Sequence, residues 1–373
     1  MKVNLGTVIQ FKRKEKQITQ QQLAEFVGVS KAAVSKWESG QTYPDITLLP
    51  ILAAYFHCTI DDLLSYEPEL SKQEIKRVCL SLQKSLDTQS SETTWKTIQE
   101  LIKKYYACDP FLLQIGILIL NHHDRFLAVS DDPFYYIRFA KKLFQQVQAN
   151  TSELNLTMEA KTVEAYCDLA LGEYDAVLSL LGETITPILP VDHLIVSAFK
   201  SKQEWDRALE TAQCSLYQQL MLCLQSGISL ISVSLNDHDL EETVSRMLIL
   251  IKSFHLEHLN PALVLNTYLA IIFKQVEFQA EEAVKASLIR LNELCSKDQF
   301  QLIFSGDAYF DRVEPWLKAQ ALGNQTLRGE KLAFSDLKQV FDSPLWNDYR
   351  QLVEFTQFIQ TLERLIEGGN HHD

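Results

Sequence analysis

Glycine and proline are scarce in this 373-residue chain, 12 and 10 of them, about half the roughly 12% that ordinary proteins give to the two together. A chain so short of turn residues is predicted to be helical. Long hydrophobic runs are missing as well: the most apolar stretch, Phe111 to Leu120, contains Gln114 and is about half as long as a membrane-spanning helix requires. No apolar run of a signal peptide opens the chain, because Lys12, Arg13, Lys14 and Lys16 interrupt it, so a cytoplasmic location without a membrane partner is expected. Paired cysteines are absent too. Seven cysteines at spacings of 21, 29, 59, 47, 9 and 72, with no Cys-x-x-Cys, fit neither a disulfide framework nor a zinc site and are predicted to be reduced, mostly buried thiols. Nor does the sequence hold a phosphate-binding G-x-x-x-x-G-K-[ST], a G-x-G-x-x-G, a G-x-S-x-G or an H-E-x-x-H. Those absences argue against an enzyme and leave no cofactor to be expected.

What is present is an ordinary folded composition, 46% hydrophobic and 22% charged, with a length that suits two or three domains at roughly 150 residues each. The net charge is −13, which on its face disfavours nucleic acid, but its distribution matters more than its sum. Residues 1–36 carry seven Lys or Arg and two Glu, a net of +5; residues 1–66 come to +1 and the remainder to −14. Any contact with phosphate must therefore come from the first segment.

Residues 5–66 read as five short helices with clear punctuation. The first runs from about Leu5 to Lys16; Thr19 and Gln22 form a capping box for a second, Gln20 to Val27, in which each side chain satisfies the other's backbone N–H. Gly28 supplies a tight turn, and Ser30 caps a third helix that ends before Gly40. Two helices of about eight residues joined by a three-residue, Gly-containing turn make a helix-turn-helix geometry. Leu23, Ala24, Val27, Val29, Val34 and Trp37 fall where the two helices meet, leaving Lys31, Ala32, Ser35 and Lys36 outward. These are short or cationic groups able to enter a major groove. Pro50 fits only in the first turn of a fourth helix starting near Thr47, and Thr59 with Asp62 signals a fifth, Ile60 to Ser65, since a proline deeper inside would remove a helical hydrogen bond.

The run from Thr19 to Ile46, with its turn glycine, its V-S-K-W-E-S-G helix end and its P-D-I entry to the fourth helix, resembles the Xre/Cro/C1 family of DNA-binding domains over about Leu5 to Leu64. That resemblance implies a five-helix, lambda-repressor-like fold on double-stranded DNA. It puts Gln20, Lys31, Ala32, Ser35 and Lys36, with the cap Ser30, in positions that touch bases or phosphates. It further implies a structural pairing of Arg13 on the first helix with Glu38 at the end of the third, with Trp37 and Gly28 holding the frame. Lys12 departs from the family, which keeps an apolar residue there; a rotated first helix, or a core supplemented by the neighbouring Phe11, is the expectation.

After a polar joint, residues 67–73, apolar residues recur at helical spacing through residues 74–373, for example Ile75, Val78, Cys79 and Leu82, or Trp95, Ile98, Leu101, Ile102 and Tyr105. Breakers at Asp109-Pro110, Asp132-Pro133, Pro187, Pro190, Asn260-Pro261 and Gly306 divide this region. Gly172-Glu173-Tyr174-Asp175-Ala176 is echoed by Gln203-Glu204-Trp205-Asp206-Arg207-Ala208, 31 residues on, with further copies expected to turn near Asp239 and Phe278. Periods of that size belong to helix-pair solenoids, and the first copy resembles half of a tetratricopeptide repeat. The fold class is thus all-α, a five-helix domain followed by a tetratricopeptide-like solenoid. The combination resembles the Rgg/PlcR/PrgX group of Gram-positive regulators, which implies a homodimer joined through the solenoid and a short peptide effector, as in quorum sensing. No motif assigns effector contacts.

Two His-containing clusters invite a metal reading, Asn121-His122-His123-Asp124 and Asn370-His371-His372-Asp373. Adjacent residues on a helix diverge by about 100°, and neither cluster has the i, i+4 spacing of a two-histidine face; a polar loop and a frayed tail are expected, with no metal. The Gly306-Asp307 turn beside Tyr309, Phe310 and Trp316 is expected to be a helix junction with core aromatics, against the alternative that it lines a pocket. The sequence thus points to a DNA-binding transcription regulator with an effector-sensing helical region, against the alternative of a scaffold whose solenoid binds a partner protein.

Overall fold

In the computed structural model, residues 5–64, 69–130, 132–185, 187, 190–297, 300–320, 324, 328 and 330–368 are described, and all regular structure among them is helical. The first five helices are α1 (Leu5–Glu15), α2 (Gln20–Val27), α3 (Lys31–Glu38), α4 (Leu49–Phe56) and α5 (Ile60–Leu64). Helices of eight residues are too short to hold themselves in water, and each is fixed by its ends and its core. Gln22 N–H donates to Thr19 Oγ1 at 3.2 Å while Thr19 N–H donates to Gln22 Oε1 at 2.8 Å. Thr59 and Asp62 exchange the same pair of bonds at the start of α5. A short 3-10 turn, Ile46–Leu48, precedes α4, so Pro50 falls in the first turn, where no intrahelical N–H is needed. Leu5, Ile9, Leu23, Ala24, Val34, Trp37, Leu52, Phe56 and Leu63 close one core. The α1–α3 crossing is set by Gly6: a Cβ there would stand 2.1 Å from the Trp37 carbonyl oxygen, which no real side chain tolerates.

At the family departure, the structure gives a different answer from a supplemented core. Phe11 is 64% exposed, and Lys12 is itself half-buried, laying its stem along the domain and bringing Nζ to Glu15 at 3.8 Å. A long aliphatic stem with its head in water replaces the apolar residue.

The remaining helices are α6 (Lys72–Thr88), α7 (Ser91–Lys104), α8 (Asp109–Asn121), α9 (Tyr135–Asn150), α10 (Leu154–Leu171), α11 (Tyr174–Leu181), α12 (Asp192–Ser201), α13 (Trp205–Ser232), α14 (Asp237–Ser253), α15 (Leu256–Leu259), α16 (Pro261–Glu277), α17 (Glu281–Cys295), α18 (Val313–Lys318), α19 (Glu330–Asp342) and α20 (Val353–Gly368). The chain divides into two compact units, one of residues 1–78, 85–117 and 125–173, the other of residues 79–84, 118–124 and 174–373. In the first unit, Trp95 lies edge-on to Tyr136 at 4.8 Å and beside Phe126 at 5.5 Å. There α9 and α10 pack as a pair, the buried Glu164 accepting from Gln145 at 2.7 Å and Gln148 at 2.6 Å. In the second unit, α12 with α13, α16 with α17 and α19 with α20 pack as pairs, over a core in which Trp346 stacks on Phe341 at 4.3 Å. The architecture is a five-helix domain followed by solenoid-like helix pairs.

The punctuation falls at helix ends. Asp109-Pro110 opens α8, and Asn260 caps α16 ahead of Pro261, accepting from Leu263 N–H at 3.0 Å. The internal repeat marks real turns. Gly172, Gln203 and Gln279 all take left-handed backbone, with φ of 75°, 61° and 57°. The residue after each donates its N–H five positions back, Glu173 to Asp168, Glu204 to Phe199 and Ala280 to Gln275, at 2.8–2.9 Å. The mark near Asp239 differs: no left-handed residue turns the chain there, and Asn236 instead caps α14 by accepting from Asp239 N–H at 3.0 Å.

The segment Asn121 to Asp124 is not the polar loop expected. Asn121 closes α8, His122 is 1% exposed, and residues 123–129 form a 3-10 turn. Asp124 meets Arg328 at 2.8 Å, and though burial works to raise its pKa, the Arg328 hydrogen bond and charge hold it below the usual carboxylate range. The second His cluster, Asn370 to Asp373, lies outside the described residues. The Gly306-Asp307 turn is a junction between non-helical residues 300–307 and α18. Asp307 Oδ1 accepts from the N–H groups of Tyr309 and Phe310 at 2.9 and 2.8 Å, and Gln213 of α13 clasps the turn. Its amide donates to Tyr309 O at 2.8 Å and Asp311 Oδ1 at 2.9 Å while its oxygen accepts from Arg312 N–H at 2.9 Å.

All seven cysteines are free thiols. Burial pushes Cys79 up to about 11 and Cys167 and Cys295 to about 12, which keeps them protonated and unreactive at neutral pH. Among the described residues, no helix is long and apolar enough to cross a membrane.

Candidate nucleic-acid interface

The interface is built from the turn outward. Gly28 ends α2 with φ of 80°, and the N–H groups of Gly28 and Val29 both donate to Ala24 O at 2.9 Å. A left-handed position of this kind disfavours any residue with a Cβ. Two residues later Ser30 caps α3, its Oγ accepting from Ala33 N–H at 3.2 Å. One side of α3 is then committed: Val34 and Trp37 are buried. The opposite side carries Lys31, Ala32, Ser35 and Lys36, all exposed. The sequence expectation placed these four together, and the structure brings them onto one face. Lys31 and Lys36 make no ion pair among the described residues, so both charges are available to a ligand.

Glu38 fastens the far end of α3 to the rest of the domain. Arg13 grips its carboxylate with two hydrogen bonds, Nε to Oε1 at 2.6 Å and Nη2 to Oε2 at 2.9 Å. The two side chains are only 12% and 2% exposed. Burial works to raise the Glu38 pKa, but the hydrogen bonds from Arg13 and Gln20 outweigh it and hold the carboxyl below its ordinary value. Arg13 also donates from Nη1 to Ile18 O at 2.8 Å, fixing the α1–α2 turn.

Gln20 occupies the first position of α2 and is half-buried; its Nε2 donates to Glu38 Oε2 at 3.0 Å. One carboxylate therefore ties together α1, the start of α2 and the end of α3. Sequence reasoning foresaw the Arg13–Glu38 pair through resemblance but missed this second donor and missed Gly6, whose only signal is a glycine inside a helical stretch. Below Lys36 the chain leaves α3 through Gly40 at φ 72°, with Gln41 N–H donating to Lys36 O at 2.9 Å.

The helix-turn-helix family matches residues 9–63. The N-terminal domain is therefore similar to the helix-turn-helix domains of that family. Over 62 residues, 17% of this chain, it is 47% identical to the HTH-type transcriptional activator BcrR of Enterococcus faecalis, the match spanning 30% of that relative. Among solved structures, the apo form of the competence regulator ComR from Streptococcus vestibularis aligns with 86% of this chain and 98% of its own, at a TM-score of 0.28 and 13% identity. Within the helix-turn-helix domain, the exposed α3 face is flush and cationic, the shape and charge that a major groove accepts.

Among the described residues of the second unit, an open cleft of about 350 Å³ is lined by Asp192 and Phe199 of α12, Arg207, Cys214 and Gln218 of α13 and Trp316 of α18. The Arg207 guanidinium lies 4.2 Å above the Phe199 ring, and Ser215 Oγ donates to Asp192 Oδ2 at 2.6 Å. Of its lining, the sequence offered only Trp316, as an alternative pocket residue beside the Gly306-Asp307 turn, because the walls come from three helices with no shared pattern.

Proposed function

We propose that the chain is a cytoplasmic, sequence-specific DNA-binding transcription regulator, not an enzyme, that acts as a homodimer and senses an effector through its helical region. The observation that carries this reading is the α3 face of Lys31, Ala32, Ser35 and Lys36, exposed and unpaired while the opposite face is locked into the core. Gln20 and Ser30 stand beside it at the helix starts, Gln20 lending its amide to Glu38 and keeping its place for a phosphate or base. The activator named among the similar proteins supports regulation of transcription as the outcome.

In this reading residues 1–66 are the reading head, residues 67–73 the joint and residues 74–373 the sensing and dimerising part. One recognition helix reads only a few base pairs, so useful specificity needs two heads on half-sites roughly 34 Å apart or a multiple of that. The −14 balance of the remainder repels the phosphate backbone and leaves DNA to the head. A ligand of mixed aromatic and charged character, a short peptide being the class we favour, suits the cleft of Phe199, Arg207 and Trp316. Its occupation would change the spacing of the two heads.

The test is selection of bound duplexes from a randomised pool by the full chain. Enrichment of a two-half-site sequence is expected, and Lys36→Ala should then either relax preference at one position or weaken all duplexes alike, with a salt slope shallower by about 1. Recovery of unenriched sequence would overturn specific reading. A second reading, a scaffold that docks a partner protein, draws on one observation: α11 and α12 bury none of their residues.

A further inference from the structure

The two polar atoms of a glutamine amide ask opposite things of a partner: Oε1 only accepts and Nε2 only donates. Turning the amide over exchanges them with almost no change of shape, so a glutamine left to itself can offer DNA either one. Gln20 is not left to itself. Its Nε2 stands 3.0 Å from Glu38 Oε2, and Glu38, held below its ordinary pKa, is at neutral pH a carboxylate that can only accept. The amide turned over would set Oε1 against that carboxylate, two acceptors with no proton between them. Glu38 cannot turn aside in response. Arg13 holds both of its oxygens, at 2.6 and 2.9 Å, and its side chain is 2% exposed.

The one orientation left decides what Gln20 can read. With one N–H engaged by Glu38, the half-buried side chain keeps a second N–H and Oε1, which accepts from nothing among the described residues. A phosphate offers acceptors alone, so Oε1 would meet it unpaired, and an acceptor desolvated without a donor is unfavourable. In the major groove adenine sets its N6 amino donor beside the N7 acceptor, the complement of a glutamine amide, and cytosine offers its N4 amino group. Guanine and thymine present oxygen acceptors instead. We infer that Glu38 is a positioning residue for DNA recognition: by fixing the Gln20 amide it makes Gln20 the reader of an amino-bearing base, adenine before cytosine, at one position of the site. The inference rests on the sequence-specific DNA reading above and assigns Gln20, left there between phosphate and base, to a base.

Selection from the randomised duplex pool tests it, run on the full chain as wild type, as Glu38→Gln, and as the exchanged pair Gln20→Glu with Glu38→Gln. Wild type should favour adenine or cytosine at one position by roughly five- to hundredfold. Glu38→Gln, whose amide lets Gln20 turn either way, should flatten that position to within about twofold and keep the rest of the site. The exchanged pair should recover a preference for an amino group there, because the new carboxylate at position 20 accepts from the new amide at position 38. A Glu38→Gln variant that keeps the wild-type preference, or an exchanged pair that does not recover it, overturns the positioning role while sequence-specific binding stands; a wild type that enriches no sequence overturns both. Should Glu38→Gln lose helix content by circular dichroism, Gln20→Lys decides, since a lysine keeps a donor for Glu38 or for phosphate but has no acceptor. It should bind DNA without the amino preference, and a preference left unchanged overturns the inference.

Discussion

The helix-turn-helix domain and the α11–α12 pair are made of helices of similar length and hold them by opposite means. In the small domain α2 and α3 are each started by a side-chain cap, at Thr19 and Ser30, and each buries a stripe in one core. Helix α12 follows Val191 and α13 follows Glu204, neither of which caps with its side chain, and α11 and α12 leave Tyr174, Leu178, Leu181, Leu194 and Ile195 exposed. A helix of eight to ten residues has too few hydrogen bonds to persist unaided. The reading head is therefore determined by its own sequence, down to the orientation of one helix. The α11–α12 pair lacks such determinants: neither helix fully buries a side chain among the described residues.

Substitutions at matching places break or sharpen that contrast. The largest effect is expected from Trp37→Ala, which empties a position in the core of the small domain and should cost the domain about 3–5 kcal/mol. Urea titration followed by amide exchange in residues 5–64 would show it, and an unchanged midpoint would deny that Trp37 anchors α3. Next is Glu38→Ala, expected to cost about 2–3 kcal/mol by leaving Arg13 buried without its partner. Its pH signature has a definite sign. Because the folded carboxyl titrates below its ordinary value of 4.5, its contribution is complete above that value and is lost as pH falls through the lower folded one. Wild type should lose stability there more steeply than Glu38→Gln, and identical acid limbs would refute the coupling. Gly6→Ala should cost about 1–3 kcal/mol by forcing α1 off the Trp37 carbonyl, measurable as a lowered melting temperature. Smallest is Leu178→Ala on the exposed α11 face, whose effect on monomer stability should stay within about 0.5 kcal/mol. A larger loss would place Leu178 in a core after all.

These differences also explain what could be seen in advance. The small domain was legible because its determinants are local. Thr19 and Gln22, Ser30, Gly28 and Pro50 each act within a few residues of themselves, and the structure places them at the helix ends their chemistry suggests. The repeat turns at Gly172 and Gln203 were legible for the same reason. Glu38 was only partly so: its partner on α1 is 25 residues away, and Gln20 joins it from the start of another helix. Gly6 escaped notice because what it avoids, the Trp37 carbonyl, lies in a helix it does not neighbour in sequence. His122 was misjudged since polar neighbours hide the burial that tertiary packing imposes, and the Phe199–Trp316 cleft has no local signature at all.

The Gln213 clasp bears on the order in which the molecule forms. Its three hydrogen bonds join positions 96, 98 and 99 residues apart, whereas the Arg13–Glu38 grip closes a loop of 25. Closing long loops before their contacts repay the lost chain entropy slows folding. During synthesis the helix-turn-helix domain can complete its core as soon as its own five helices have emerged, while α13 must wait, its amide unspent, for Tyr309 to Arg312. A nascent chain would thus carry a finished helix-turn-helix domain well before the Gln213 clasp can close.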